Sequence, residues 1–245
     1  MHIPFPDAAG QSGQTEAQSS FTHLGGARVL IVTAVEAEKE AVLRGLTRTG
    51  ESCGRFDVLA AGVGPAAAAA STAAALAAAP GAYGLVISAG IGGGFAGYIG
   101  LGGLAVAGEI IAADLGAETP DGFRTVDELG FGSSRVQVEA SLASAWTAAL
   151  QAAGLEARLG PVLTVTTVTG TAATAEELAA RVPGALAEAM EGYGVAIAAQ
   201  QQGVPVLELR AISNAIGPRD RDAWRIGDAL KALEAAGAVL KEVLS

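Results

Sequence analysis

The first sustained apolar run is ARVLIVTAV, Ala27 to Val35, nearly unbroken in the way of a strand covered on both faces of its sheet. A helix is predicted at Glu36 to Leu46, then a short strand at Phe56 to Ala61. The turn GVGPA leads into an Ala-rich helix over Ala66 to Ala79, and a strand at Leu85 to Ala89 runs into GIGGGFAG. This order is β-α-β-α-β. Further strands are predicted at Leu104 to Ala113, Pro161 to Val168, Ala185 to Met190 and the run VPVLELRAIS. Helices are predicted at Glu139 to Ala153, Ala175 to Arg181, Gly192 to Gln202 and Asp222 to Leu244. Leu115 to Gly130 carries no periodicity and reads as a long irregular insertion, placed to close a pocket or meet a partner subunit. The pattern as a whole predicts an α/β fold, a three-layer α/β/α sandwich with a central mixed, mostly parallel sheet. Residues 1 to 26 are polar and Gly- and Ser-rich, so they are expected to form a disordered arm ahead of a single domain spanning 27 to 245.

Composition narrows the chemistry. A chain of 245 residues with 51% hydrophobic content buries a full core. Its formal charge of -10 argues against a surface that tracks nucleic-acid phosphates, and no polymer partner is expected. The two histidines, His2 and His23, both precede the first strand. The folded part therefore has no imidazole for a Ser-His-Asp triad or a His-based metal site. Cys53 stands alone, which leaves no disulfide framework and no thiolate metal site. Neither a metal nor a cofactor is expected. No run resembles a membrane span or a secretory leader, so the expected compartment is the cytoplasm.

In sheets of this kind ligands collect at the carboxyl ends of strands. Four polar stretches lie there: Glu36 and Glu38 after the first strand, GIGGGF after the third, Met190 to Gly192, and SNAIGPRDR after the last inner strand. GIGGGFAG follows the third strand and not the first, and no acid about 20 positions on sits at a strand end with a helix between, which counts against a dinucleotide site. Bare backbone N–H groups lining a small-molecule pocket fit it better. Glu191 is either a helix N-terminal acid satisfied by backbone N–H groups or a bidentate acceptor for vicinal hydroxyls, such as those of ribose. Asn214 reads equally as a turn or cap residue and as part of a site.

Taken in order, VTAVEAEKEAV, ISAGIGGGF, EAMEGYGVAIAA and VPVLELRAISNAIGPRDR resemble the nucleoside phosphorylase and nucleosidase superfamily. MEGYG together with RAISNxxGPRDRxxW is most similar to the futalosine hydrolases within it. The resemblance implies a nucleoside phosphorylase-like fold and cleavage of the N-glycosidic bond of futalosine by water, releasing hypoxanthine, in the futalosine route to menaquinone. It implies Glu38 as the acid that holds the attacking water, with Glu36 the neighbouring candidate. Glu191 would bind the ribose hydroxyls and Asn214 would face the departing purine. An amide donates to O6 of a 6-oxopurine and accepts from N7–H, a pattern suited to hypoxanthine. Gly90, Ile91 and Gly92 would line the pocket, and Thr169 and Thr171 lie in the segment that flanks the base, where the usual pocket aromatic is missing. Met190 and Ser213 complete the expected substrate contacts. Arg219 is a candidate for a carboxylate tail on the 5′ side, with Arg221 read rather as part of a loop tied by Arg–Asp pairs. Trp224 is expected in core or interface packing. The family also implies a homo-oligomer.

Two other readings stand beside this one. A thioadenosine-type nucleosidase or a purine nucleoside phosphorylase shares the fold, but Asn214 speaks against adenine. Ile91, where a phosphorylase would place Ser or Thr, speaks against phosphate. A non-catalytic nucleoside-binding protein is the remaining alternative.

Overall fold

The computed structural model describes residues 25–47 and 53–244. His2, His23 and the expected arm, apart from Gly25 and Gly26, lie outside the described residues. In chain order the elements are β1 (Arg28–Thr33), α1 (Glu36–Thr47), β2 (Phe56–Ala60), α2 (Pro65–Ala78), β3 (Tyr83–Gly94), β4 (Leu104–Ala112), β5 (Gly116–Thr119), β6 (Gly122–Thr125) and β7 (Arg135–Gln137). There follow α3 (Ala140–Ala152), β8 (Ala157–Thr164), α4 (Ala172–Arg181), β9 (Ala187–Ala189), α5 (Gly192–Gln201), β10 (Val206–Ala215), a short 3₁₀ turn (Arg221–Ala223) and α6 (Ile226–Leu244).

The large sheet runs β10-β4-β8-β9-β3-β1-β2, with β7 on β4, and β10 pairs β3 as well. The run from β10 round to β3 therefore closes on itself. In place of the expected three-layer sandwich, the sheet is mixed and part of it forms a barrel. β1 pairs β2 and β3 in parallel, as do β10 with β3, β4 with β8, and β8 with β9. β4 runs antiparallel to β10 and to β7, and β9 antiparallel to β3. Leu85, Val86 and Ile87 of β3 and Leu30 and Ile31 of β1 are buried in the core, as their unbroken apolar runs require.

β3 continues through the glycine-rich stretch Gly90 to Gly94, paired with β10 on one side and, at Gly93 and Gly94, with β9 on the other. Three strands can crowd there because no side chains intervene. A Cβ on Gly92 would lie 2.7 Å from the Glu188 carbonyl oxygen. One sequence expectation is corrected: the stretch from Leu115 to Gly130 is not irregular, since β5 and β6 pair as a hairpin across most of it. Glycine also sets the helix spacing. A Cβ on Gly194 in α5 would stand 2.1 Å from the Pro65 carbonyl oxygen, so the small residue lets the start of α2 approach α5.

Candidate active site

A cavity of about 320 Å³ opens where β1, β3, β9 and β10 converge. Its wall includes Glu38, Glu188, Glu191, Ser213, Asn214 and Trp224.

Glu38 stands in the first turn of α1, while Glu36 points outward toward Lys39. The Glu38 carboxylate accepts hydrogen bonds from the N–H groups of Ala34 (2.9 Å) and Val35 (3.3 Å) on one oxygen and of Ile91 (2.8 Å) on the other. The Val35 contact is the backward half of a capping box, so one side chain closes the helix start and enters the cavity. It is buried, with acceptor capacity left on the oxygen that accepts from Ile91.

Glu191 precedes α5 yet does not cap it. Its carboxylate accepts instead from Gly64 N–H (3.1 Å), Met190 N–H (3.3 Å) and Arg210 Nη1 (3.2 Å). The Gly64 bond depends on the close approach that Gly194 allows between α2 and α5. Arg210 is fully buried and uses all three guanidinium nitrogens: Nη1 on Glu191, Nε on Glu208 Oε1 (2.8 Å) and Nη2 on Ser88 Oγ (2.6 Å). Burial opposes the Arg210 charge, but Glu208 and Glu191 outweigh it and raise the guanidinium above its ordinary value. Burial pushes the Glu208 carboxyl up, with Arg210 pulling against it. Among the described residues Glu208 Oε2 has no hydrogen-bond partner.

Arg210 pairs with Glu191 and Glu208 but not with Glu38. Between Glu38 and the guanidinium lies Gly90, where a Cβ would come within 2.7 Å of Glu38 Oε1 and 2.8 Å of Arg210 Nη1. The missing side chain lets the acceptor and the donor both approach the β3 backbone. Gly192 serves the same cluster, since a Cβ there would fall 2.3 Å from both Glu208 oxygens. Gly192→Ala is expected to destabilise the fold by about 1–3 kcal/mol, read as a lower urea midpoint with unchanged slope.

Asn214 reaches the cavity through a β-bulge. The β10–β3 register runs Ile212 to Gly92 and then Asn214 to Gly93, so Ser213 is the extra residue. The bulge turns Asn214 to the face it would otherwise not share. Ser213 Oγ donates to Asn214 Oδ1 (2.9 Å), and Asn214 Nδ2 donates to the Ala215 carbonyl (3.0 Å). One N–H and one lone pair of the amide remain.

Of the other expected contacts, Ile91, Gly92, Met190 and Ser213 line the cavity. Gly90 acts behind it, as described. Thr169 lines a neighbouring cleft and holds Glu188 through its N–H (2.8 Å) and hydroxyl (2.6 Å). Thr171 is not brought to the cavity: its hydroxyl caps α4 by accepting from Thr174 N–H. Arg219 is exposed and stacks over Trp224 at 5.2 Å, as Arg221 does at 6.0 Å. Trp224, expected in packing, forms the aromatic part of the cavity wall.

A model of the phosphorylase superfamily matches residues 22–245. A futalosine hydrolase of Streptomyces coelicolor is 56% identical over 232 residues, which cover 88% of this chain and 96% of that protein. One of Acidothermus cellulolyticus is 48% identical over 220 residues, covering 86% and 89%. The chain belongs to the futalosine hydrolase family of the phosphorylase superfamily. Among solved structures, the native futalosine hydrolase of Helicobacter pylori strain 26695 superposes with a TM-score of 0.73 at 18% identity, covering 89% of this chain and 98% of that one. A 5′-methylthioadenosine/S-adenosylhomocysteine nucleosidase of Neisseria meningitidis, in complex with methylthio-immucillin-A, gives 0.70 at 20% identity, covering 87% and 98%. These two share the fold.

Within this family member, sequence reasoning passes over Arg210, Glu208, Ser88 and Glu188. A signal for the first two exists: in VLELRAIS two opposite charges stand two apart in an otherwise apolar strand, so they share one face and must pair when buried. Ser88 and Glu188 carry no comparable mark.

Proposed function

We propose that the chain hydrolyses the N-glycosidic bond of futalosine, giving hypoxanthine and dehypoxanthine futalosine as a step toward menaquinone. The observation that carries the reading is the wall of the one cavity, which brings Glu38, Glu191 and Asn214 together. A water beside Glu38 donates to its carboxylate, and Glu38 takes its proton as it attacks the anomeric carbon. Glu191 accepts from the ribose hydroxyls and sets negative charge beside a sugar that becomes cationic as the bond breaks. Asn214 donates to the purine where the leaving base gathers negative charge, and Trp224 offers it an aromatic wall.

Water rather than phosphate suits this cavity. Arg210 is the guanidinium nearest the attack site, and each of its nitrogens already has a partner. Ile91 adds no hydroxyl, so an inorganic phosphate finds little counter-charge. Arg219, exposed beside Trp224, is the proposed partner of the 5′ carboxylate tail. We place the enzyme in the cytoplasm as a homo-oligomer. Phe131, 83% exposed beyond the β5–β6 hairpin, is a surface that a second copy would cover. Among the described residues no helix is long and apolar enough to cross a membrane.

The test is incubation with futalosine, its 6-amino counterpart, inosine and methylthioadenosine, with and without phosphate, and identification of the released base. Hypoxanthine from futalosine without phosphate is the expected result. Adenine alone, strict phosphate dependence or binding without turnover would overturn it. Asn214→Asp is expected to lower kcat/KM for futalosine at least about tenfold and to raise it for the 6-amino nucleoside, because a carboxylate accepts from a 6-amino group and repels O6.

A further inference from the structure

We infer that Glu208 is a positioning residue: with Ser88 it pins the Arg210 guanidinium, whose remaining nitrogen then holds the Glu191 carboxylate where it accepts the ribose hydroxyls. That role rests on the nucleosidase reading of Glu191 and extends the site to side chains behind the cavity wall.

The register of β10 on β3 brings the side chains together. Glu208 pairs with Ser88 and Arg210 with Gly90, so the four residues share one face in two successive rows. Gly90 carries no side chain, and a Cβ there would stand 2.8 Å from Arg210 Nη1. The guanidinium can therefore lie back along β3 onto the row formed by Glu208 and Ser88. Its Nε donates to Glu208 Oε1 at 2.8 Å and its Nη2 to Ser88 Oγ at 2.6 Å, and two fixed nitrogens fix a planar group. Nη1 is left to donate to Glu191 Oε2 at 3.2 Å, the longest of the three contacts. Of these four side chains only Glu191 lines the cavity.

Packing gives no reason for an acid at this position. Glu208 stands between Leu207 and Leu209, and all three are at 0% exposure. An apolar side chain would fill the same space without a desolvated charge, and buried ion pairs are often replaced in that way with little loss of stability. What it would lack is an acceptor for Nε. The chain makes room for the acid at Gly192, next to Glu191, where a Cβ would meet both Glu208 oxygens at 2.3 Å. Without Glu208 the guanidinium keeps a single anchor at Ser88, and it can turn Nη1 away from Glu191.

A plain counter-ion for Arg210 would matter to stability alone, so the test reads which substrate loses turnover. kcat/KM is measured on folded protein for futalosine and for its 2′,3′-dideoxy analogue, which offers Glu191 no hydroxyl. For futalosine, Glu208→Leu is expected to lower kcat/KM at least about tenfold, the scale of one charge-assisted hydrogen bond. For the dideoxy analogue the loss should shrink to about twofold or less, because the contact that Glu208 supports is already gone. Glu208→Gln keeps an acceptor for Nε and should restore most of the futalosine activity. Ser88→Ala loosens the same guanidinium from its other anchor and should discriminate between the two nucleosides in the same sense on a smaller scale. Equal losses on both nucleosides, in Glu208→Leu or, should that variant not fold, in Ser88→Ala, overturn the inference and leave the nucleosidase reading standing. Full activity of folded Glu208→Leu does the same. Wild-type protein that releases no hypoxanthine from futalosine overturns both.

Discussion

Glu38→Gln is expected to lower kcat for futalosine by about 10²–10⁴, with much less change in the affinity for the nucleoside. The carboxylate is proposed to act on the attacking water rather than on the base or the ribose hydroxyls, so its loss falls on the chemical step. A structural cost accompanies the loss and its size can be argued. Both Glu38 oxygens accept from backbone N–H groups, Ala34 and Val35 on one side and Ile91 on the other. A carboxamide has one acceptor oxygen, so its NH₂ must face a donor on one of those sides. An unsatisfied buried donor costs about 1–3 kcal/mol. The variant should therefore unfold at lower urea yet remain folded without denaturant. Single-turnover kinetics on folded protein, beside equilibrium binding of the nucleoside, distinguish the two effects. A non-catalytic binding protein would be indifferent to the substitution apart from its stability.

Much of this site is legible in the sequence because its parts are local. Glu38 is a first-turn helix acid just after a strand-to-helix junction, Glu191 lies between an apolar strand and a helix, and Asn214 ends the strand-like run VPVLELRAIS. Each is marked by a polar group at a strand end, and strand ends converge in α/β sheets. The closure of the sheet is not local. It depends on β10 pairing with both β3 and β4, a long-range choice that a hydrophobic pattern does not specify. The glycine stretch is hard to read for a related reason. Runs of glycine signal turns when the backbone must bend, and here they signal three strands in close contact, a property of the neighbours rather than of the segment. Asn214 shows how far the two levels can separate. Its position is plain from the chain, but the face it presents is set by one extra residue in β10.

Arg210→Met is expected to destabilise the protein by about 3–5 kcal/mol and to abolish measurable turnover. The guanidinium is the counter-charge for two carboxylates in a region closed to water, with Arg210 at 1% exposure and Glu208 at 0%. Removing it strands Glu191 and Glu208 with like charge. For a domain of this size the loss is on the order of 10 °C in Tm. Its pH dependence has a definite sign. Burial already raises the Glu208 carboxyl above its ordinary value, and taking away Arg210, which opposes that rise, lifts it further. A carboxyl raised in the folded state contributes stability below its unfolded value, about 4.3, that is lost as pH climbs through the folded value. The gap between variant and wild type should accordingly be smallest near pH 4 and widen toward pH 7, measured by urea unfolding across that range. Adding Glu208→Leu should recover much of the loss, because replacing a buried pair with apolar groups is often neutral or stabilising. Turnover should stay lost. The double variant would keep a packed core beneath the cavity but leave the Glu191 carboxylate without the guanidinium that holds it. If it regained activity along with stability, Arg210 would be a packing element and Glu191 would be held well enough by the N–H groups of Gly64 and Met190.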